Sequence, residues 1–287
     1  MSASSRVHFT KLHGLGNDFI VVRAQGLPRS LPRLARAICS RTTGVGADGL
    51  LVLAAPRAPR LPARLRFFNA DGSEAEMSGN GIRCAAAYML SQKPGRSPLE
   101  ISTPAGVKVL RLIRSGRGEW CFRVAMGQPI FNPAQIPFTG AKGNGPVVGF
   151  NLHTKLGDAT ATVTSMGNPH CSIFVDDFAK LDWQALGLEI ERHKLFPNRT
   201  NVEFVKVLSL KAIEVRFWER GVGKTMSSGT GSCAATVASI LNGKTGRKVR
   251  VHTLAGTLDV EWPEGGEVSL TGPAQLIAEG IYHFRAQ

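Results

Sequence analysis

The chain has 287 residues, 43% hydrophobic and 20% charged, which suits two ordinary domains with their own cores and excludes a disordered chain. Its net charge is +14, but much of the arginine sits in proline-mixed stretches (27–41, 56–66 and 111–117) without aromatic interleaving or a recognisable reading module, so no nucleic-acid partner is expected. With no long apolar run, no hydrophobic signal core in MSASSRVHFTKLHG, and five cysteines without a CxxC pair, the expectation is a cytoplasmic protein with no membrane segment.

Alternating apolar positions predict short strands at Val7–Leu12, Phe19–Val22, Leu50–Leu53, Leu65–Phe68, Lys108–Leu112 and Trp120–Val124. Between the second and third, Leu31, Leu34, Ala35 and Ile38 form one stripe and predict an amphipathic helix over Ser30–Ser40. Asn80–Leu90 reads as a second helix, opened by glycine and rich enough in alanine to be buried. The segment Gln128–Gly145, with Pro129, Pro133 and Pro137, has the composition of a boundary. Strands follow at Ala161–Thr164, Ser172–Val175, Asn201–Val207 and Ala212–Trp218, then a buried small-residue helix at Gly231–Leu241. Strands at Lys248–Thr253, Thr257–Trp262 and Glu267–Leu270 complete the series. The order is the same in both halves. It predicts an α+β protein of two similar domains with a cleft between them: residues 1–127, joined by a strand near 275–287, and residues 128–274.

The strongest signal is an internal repeat. Ser78-Gly79-Asn80-Gly81 leads into Ile82-Arg83-Cys84-Ala85-Ala86, and Ser228-Gly229-Thr230-Gly231 leads into Ser232-Cys233-Ala234-Ala235. Each reads as a loop entering a helix N-terminus, whose unpaired N–H groups favour negative charge. Two such ends facing one another would clamp a carboxylate and offer one side chain to each face of the adjoining carbon, the layout of a two-base racemase or epimerase. Other motifs fail on context. Gly44-Val45-Gly46-Ala47-Asp48-Gly49 matches a dinucleotide fingerprint, but a strand follows it where a helix is required. Gly223-Lys224-Thr225 lacks the leading glycine of a phosphate loop, with Trp218 in its place. The seven histidines show no metal-ligand spacing, so no metal is expected.

Further segments fall in order around the repeat: Lys11-Leu12-His13-Gly14-Leu15-Gly16-Asn17-Asp18-Phe19, Phe68-Asn69-Ala70-Asp71-Gly72-Ser73-Glu74, Met166-Gly167-Asn168-Pro169-His170, Arg199-Thr200-Asn201-Val202-Glu203-Phe204 and Glu219-Arg220-Gly221-Val222-Gly223. From about Val7 to Tyr282 the chain resembles the diaminopimelate epimerases, cofactor-independent enzymes of lysine and cell-wall synthesis. The resemblance implies a sheet wrapped around a central helix in each domain, no cofactor, a small amino-acid substrate (diaminopimelate) and room for a homodimer. It implies that Gly79, Asn80, Gly229 and Thr230 hold the carboxylate of the reacting centre. Asn17, Asn69, Asn168, Asn201 and Arg220 would read the substrate, its distal amino-acid end included, and His170 and Glu219 would tune the acid and base. Plainer roles compete: turn asparagines, a packed histidine, a solvated Glu–Arg pair.

The chain departs from the family where the chemistry is. The family's catalytic cysteines align with Ser78 and Ser228, while Cys84 and Cys233 lie further along each helix, about 8 Å from those positions, and read as packing groups. A thiol ionises near pKa ~8.5 and a helix end lowers it further, whereas a serine hydroxyl needs an adjacent base. Each pKa unit of difference corresponds to about 1.4 kcal/mol, so slow turnover is expected. Three accounts of the serines stay open: deliberate replacement of cysteines, a natural paralogue with lost or altered chemistry (a binding protein, or an isomerase of another amino acid), and a serine-compatible epimerase.

Overall fold

A computed structural model of the chain describes residues 4–56, 58, 61–93 and 97–285. Residues 1–3 and 286–287, which fall in the expected first domain, lie outside the described residues, as do residues 57, 59 and 60 of one arginine-rich stretch. The fold is α+β. Two compact units divide it: Met1–Val124 with Gly272–Gln287, and Ala125–Thr271.

Unit 1 contains β1 (Ser4–Gly14), β2 (Asn17–Arg23), α1 (Leu31–Cys39), β3 (Gly49–Ala54), β4 (Ala63–Asn69), β5 (Glu74–Ala75), α2 (Gly79–Gln92), β6 (Leu99–Thr103), β7 (Gly106–Gly116) and β8 (Glu119–Gly127), the end of β8 crossing into unit 2. Unit 2 contains β9 (Val147–Thr154), β10 (Gly157–Ser165), β11 (Pro169–Phe174), α3 (Trp183–Glu191), β12 (Asn201–Ser209), β13 (Ala212–Glu219), β14 (Gly223–Thr225), α4 (Gly229–Leu241), β15 (Lys248–Thr253), β16 (Gly256–Glu261) and the start of β17 (Val268–Arg285). From Gly272 onward β17 belongs to unit 1, where it pairs along β1 from Gln275 to Arg285.

The two units repeat one wiring scheme. In unit 1, β2 and β3 are parallel and joined through α1, β3 and β4 are antiparallel, and β4 is parallel to β6. In unit 2, β11 and β12 are parallel and joined through α3, β12 and β13 are antiparallel, and β13 is parallel to β15. A parallel pair needs a crossover, and each α-helix there supplies it. Register makes the match residue-specific. Phe19 stands opposite Gly49 and Val21 opposite Leu51, which faces Phe67. His170 stands opposite Asn201 and Ser172 opposite Glu203, which faces Phe217.

Helices α2 and α4 are the enclosed ones. Ten successive residues of α2, Gly79–Tyr88, are buried, as is α4 from Gly231 to Ser239. A helix buried all round has no solvent face to solvate, which explains the alanine-rich, nearly uncharged sequence. Helix α2 packs on β1, β2 and β3; α4 packs on β10–β13, β15 and β16. The third residue of each helix, Gly81 in α2 and Gly231 in α4, is a glycine in crowded surroundings. A Cβ at Gly81 would lie 3.0 Å from the Phe67 ring, and one at Gly231 would lie 2.9 Å from the Phe217 ring and 3.0 Å from Glu203 Oε1. Helices α1 and α3 pack on strands from outside, with α1 burying Leu34, Ala35, Ile38 and Cys39.

The sequence reading did not separate α3. Its sequence WQALGLEIE carries Gly187 mid-helix, a poor helix former, and the glycine is there because a Cβ would meet the Trp218 side chain at 2.8 Å. The proline-rich segment 128–145 is also more than a spacer: Ile136 and Phe138 are buried in the unit 2 core, and Ile130 bridges to Ser165. Among the described residues no helix is long and apolar enough to cross a membrane.

Candidate functional site

The repeated motif forms two helix starts of the same design, one in each unit. Ser78 and Ser228 are the N-caps of α2 and α4, in nearly identical extended conformations (φ −133°, ψ 125° and φ −133°, ψ 128°). Each hydroxyl oxygen accepts a hydrogen bond from the N–H three residues on, Gly81 at 3.1 Å and Gly231 at 3.3 Å. Serine is among the best residues for this task, since its oxygen satisfies one of the orphan donors of the first turn. The N–H groups of residues 79–80 and 229–230 belong to the same first turns, where the helix field favours an anion.

In unit 1 the turn is gripped from below by Arg83, whose side chain is fully buried. Its guanidinium donates to Gly79 O (2.9 Å), Asn80 Oδ1 (2.6 Å) and Pro273 O (3.1 Å). Asn80 then donates to Asn17 Oδ1 (3.2 Å), and Asn17 donates to Asp48 Oδ2 (2.7 Å). The chain continues into a charge cluster: Arg41 bridges Asp18 and Asp48 at 2.9 and 2.7 Å, and Lys11 meets Asp18 at 3.0 Å. Burial pushes the Asp18 carboxyl up, but Arg41 and Lys11 outweigh it and the net direction is down. Asn69, at the exposed end of β4, donates to Ser73 Oγ (2.9 Å).

Unit 2 surrounds its helix start with different chemistry. Ser228 Oγ donates to Glu219 Oε2 at 3.2 Å, so this hydroxyl has a carboxylate beside it. In unit 1 the corresponding end of β4 carries Asn69 and no carboxylate. Burial raises the Glu219 carboxyl above its ordinary value, while the Thr225 and Ser228 hydroxyls and His170 pull the other way. Behind this pair His170 is completely buried, with Nδ1 2.7 Å from Glu203 Oε1 and Nε2 2.9 Å from Asn168 Oδ1. Burial also raises Glu203, against the opposing pull of His170 and Ser172, whose hydroxyl donates to Glu203 Oε2 at 3.4 Å.

Asn17 and Asn168 each follow a glycine with positive φ, Gly16 at 79° and Gly167 at 96°. Those values favour glycine, and the turns they allow are what place the two asparagines at matching stations. Asn201 is engaged at both ends of its amide, donating to Pro169 O (2.8 Å) and accepting from the Arg220 N–H (2.9 Å). The Arg220 guanidinium is exposed and donates once to Asn198 O at 3.2 Å. The turn bearing Glu219 and Arg220 is pinned by Glu191 of α3, which accepts from Trp218 Nε1 (2.9 Å) and the Gly221 N–H (3.0 Å).

Unit 1 thus gathers Asn17, Ser78, Gly79 and Asn80, with Asn69 tied to its own turn; unit 2 gathers Asn168, His170, Asn201, Glu219, Arg220, Ser228, Gly229 and Thr230. Arg83, Glu203 and Glu191 were missed by sequence reasoning. A lone charge in a buried alanine helix and a glutamate inside the apolar run Val202–Val205 were the available signals for two of them. Cys84 and Cys233 are fully buried, and desolvation pushes the Cys84 thiol up to about 12, as befits packing groups.

Comparison with known proteins follows the same lines. The family model for diaminopimelate epimerase matches residues 9–132 and 162–277. A diaminopimelate epimerase of Pelotomaculum thermopropionicum is 46% identical over 283 residues, covering 97% of this chain and all of that one. Another, of Desulfitobacterium hafniense, is 45% identical over 280 residues, covering 96% and 98%. Among solved structures, a hydroxyproline epimerase from Agrobacterium vitis with bound trans-4-hydroxy-L-proline shares the fold at a TM-score of 0.70 and 14% identity, covering 100% of this chain and 95% of that one. The duplicated helix starts and near-full-length kinship lead to one conclusion: this chain belongs to the diaminopimelate epimerase family.

Proposed function

We propose that this chain is an amino-acid epimerase interconverting LL- and meso-diaminopimelate without a cofactor, with Ser78 and Ser228 at the acid and base positions. The observation that carries the reading is the Ser228–Glu219 bond at the start of α4, combined with the same serine-capped start on α2. A hydroxyl acts as a base only when its own proton has somewhere to go, and Glu219 supplies that acceptor. In the step proposed, the α-carbon gives its proton to Ser228 Oγ as the Ser228 hydroxyl proton moves to Glu219. Ser78 delivers its hydroxyl proton to the opposite face and is re-protonated from water as Glu219 releases the proton it took, which returns both serines and Glu219 to their starting states. First-turn N–H groups at Gly79, Asn80, Gly229 and Thr230 would hold the adjoining carboxylate, stabilising the charge that develops as the proton leaves. Asn17, Asn69, Asn168 and Arg220 would read the rest of the substrate, Asn201 acting through the Arg220 N–H it accepts. The protein would work in the cytoplasm, with room for a homodimer.

One observation favours a second reading, a protein that binds the amino acid without inverting it: both serines already have a complete structural role as N-caps. Deuterium entry at the α-carbon from heavy water separates the two. The epimerase reading expects slow exchange in the chain as it stands, and faster exchange with inversion when Ser78→Cys and Ser228→Cys are combined. A double variant that binds diaminopimelate yet neither exchanges nor inverts it refutes the epimerase reading.

A further inference from the structure

Glu203 sits in the middle of β12 within an otherwise apolar run, 1% exposed, with both carboxylate oxygens committed to His170 and Ser172. Burying a carboxylate is costly unless its partners are good, so a glutamate at this station needs a reason. The corresponding station of unit 1 shows what the fold itself asks for. There Leu51 stands in place of Glu203, Phe19 in place of His170 and Val21 in place of Ser172, all buried. The same wiring is therefore satisfied by three apolar side chains, and the polar set in unit 2 is not a demand of the architecture.

We propose that Glu203 is a positioning residue for the proton transfer at Ser228: it holds the His170 ring with Nδ1 turned into the core and Nε2 turned toward Asn168. Asn168 Oδ1 can only accept, so Nε2 carries a hydrogen toward it, and a second hydrogen lies in the 2.7 Å bond between Nδ1 and Glu203 Oε1; the two bonds together fix the face the ring presents. Glu203 Oε1 lies against Gly231, 3.0 Å from where a Cβ would stand, and the Gly231 N–H holds Ser228 Oγ at 3.3 Å, so the Glu203–His170 pair underlies the turn that carries the hydroxyl; His170 also favours the ionised form of Glu219, and Glu203 opposes it. Gly231 is part of the device, since any Cβ there would press on Glu203 Oε1 and on Phe217. The catalytic half of this inference rests on the epimerase reading; the structural half does not.

The test is nitrogen-15 spectroscopy of the full chain carrying labelled histidine, with the His170 signals assigned by their loss in His170→Gln. The parent should show His170 protonated at Nε2, with a second proton, far downfield, in the bond between Nδ1 and Glu203. Glu203→Leu, which copies unit 1, should abolish the downfield proton and leave the ring protonated at Nε2 alone. Glu203→Gln, kept as the gentler variant should Glu203→Leu fail to fold, should keep the bond but move its proton upfield. Alongside, α-proton exchange of diaminopimelate should fall at least about tenfold in Glu203→Leu while its affinity stays within about twofold. Unchanged His170 signals in both variants would overturn the proposal. So would an exchange rate in Glu203→Leu equal to that of an active parent. Altered signals in a parent that shows no exchange would instead remove the epimerase reading and leave the role of Glu203 toward His170 standing.

Discussion

Beneath Ser78 the sheet of unit 1 presents Phe19, Val21 and Leu51; beneath Ser228 the sheet of unit 2 presents His170, Ser172 and Glu203. Strand wiring, helix caps and the glycines under Phe67 and Phe217 are shared, so the difference is confined to a few side chains at matching stations. The comparison teaches that the backbone of this repeat does not need polar groups in its interior. Unit 1 invests its polar chemistry elsewhere, in a buried arginine that grips the turn itself. One helix start is held by hydrogen bonds from Arg83 to backbone carbonyls; the other is surrounded by groups that can exchange protons.

The largest effect expected from breaking this division is on Arg83. Arg83→Met should destabilise the protein by about 3–5 kcal/mol, since it strips partners from Gly79 O, Asn80 and Pro273 O at a buried site, and denaturant unfolding measures it directly. A loss under about 1 kcal/mol would mean that the turn holds itself.

Transplanting the unit 1 set into unit 2 is the sharper test. The triple variant His170→Phe, Ser172→Val, Glu203→Leu should fold with stability equal to the parent or higher by about 1–4 kcal/mol, as buried ionic groups often yield to apolar ones. Any α-proton exchange should vanish from it. Retained exchange would show that the polar set is incidental.

Glycine substitutions should separate the halves by less. Gly231→Ala should cost about 1–3 kcal/mol from pressing on both Phe217 and Glu203, and Gly81→Ala less, because its near neighbours are a ring edge and Ser78 Cβ. Equal losses would count against the asymmetry. Smaller again is the serine cap: Ser78→Ala and Ser228→Ala should each lose about 1 kcal/mol, since each oxygen accepts from the N–H three residues on, Gly81 and Gly231.

The smallest effect is a pH slope with a definite sign. Glu203 and Glu219 are carboxyls whose folded values are raised above the ordinary 4.5 by burial. A raised acid binds its proton more tightly in the folded state, so its contribution is fully present below the unfolded value and is lost as pH climbs through the folded one. Stability should decline with pH across that window, and Glu203→Leu should flatten the decline. Asp18 works in reverse, its lowered value adding stability that disappears only in acid.

How much of this the sequence disclosed depends on the range of the interaction. The two helix starts were legible because their determinants are local: a serine, two glycines and a small-residue run within a dozen positions. Strands β2, β3, β12 and β13 were legible from alternation and apolar runs. Helix α3 was not, because Gly187 answers to Trp218 across the fold and weakens the local signal. His170, a partner of Glu203, is 33 residues away, and Pro273, the distant partner of Arg83, is 190 away, so a charge in an apolar run could be noticed without its purpose being readable. The roles of the asparagines came only from resemblance.

The acceptor at Pro273 has a consequence for how the chain is made. Unit 2 is a continuous stretch, Ala125–Thr271, and can complete its hydrogen bonding once that stretch has left the ribosome. Unit 1 cannot: β1 waits for the return of Gln275–Arg285, and the Arg83 guanidinium waits for a carbonyl translated after all of unit 2. The half synthesised first is therefore the half finished last. In the interval it exposes an unpaired strand edge and a buried-type cation without its full set of acceptors, which makes it the part of the nascent chain most in need of a chaperone.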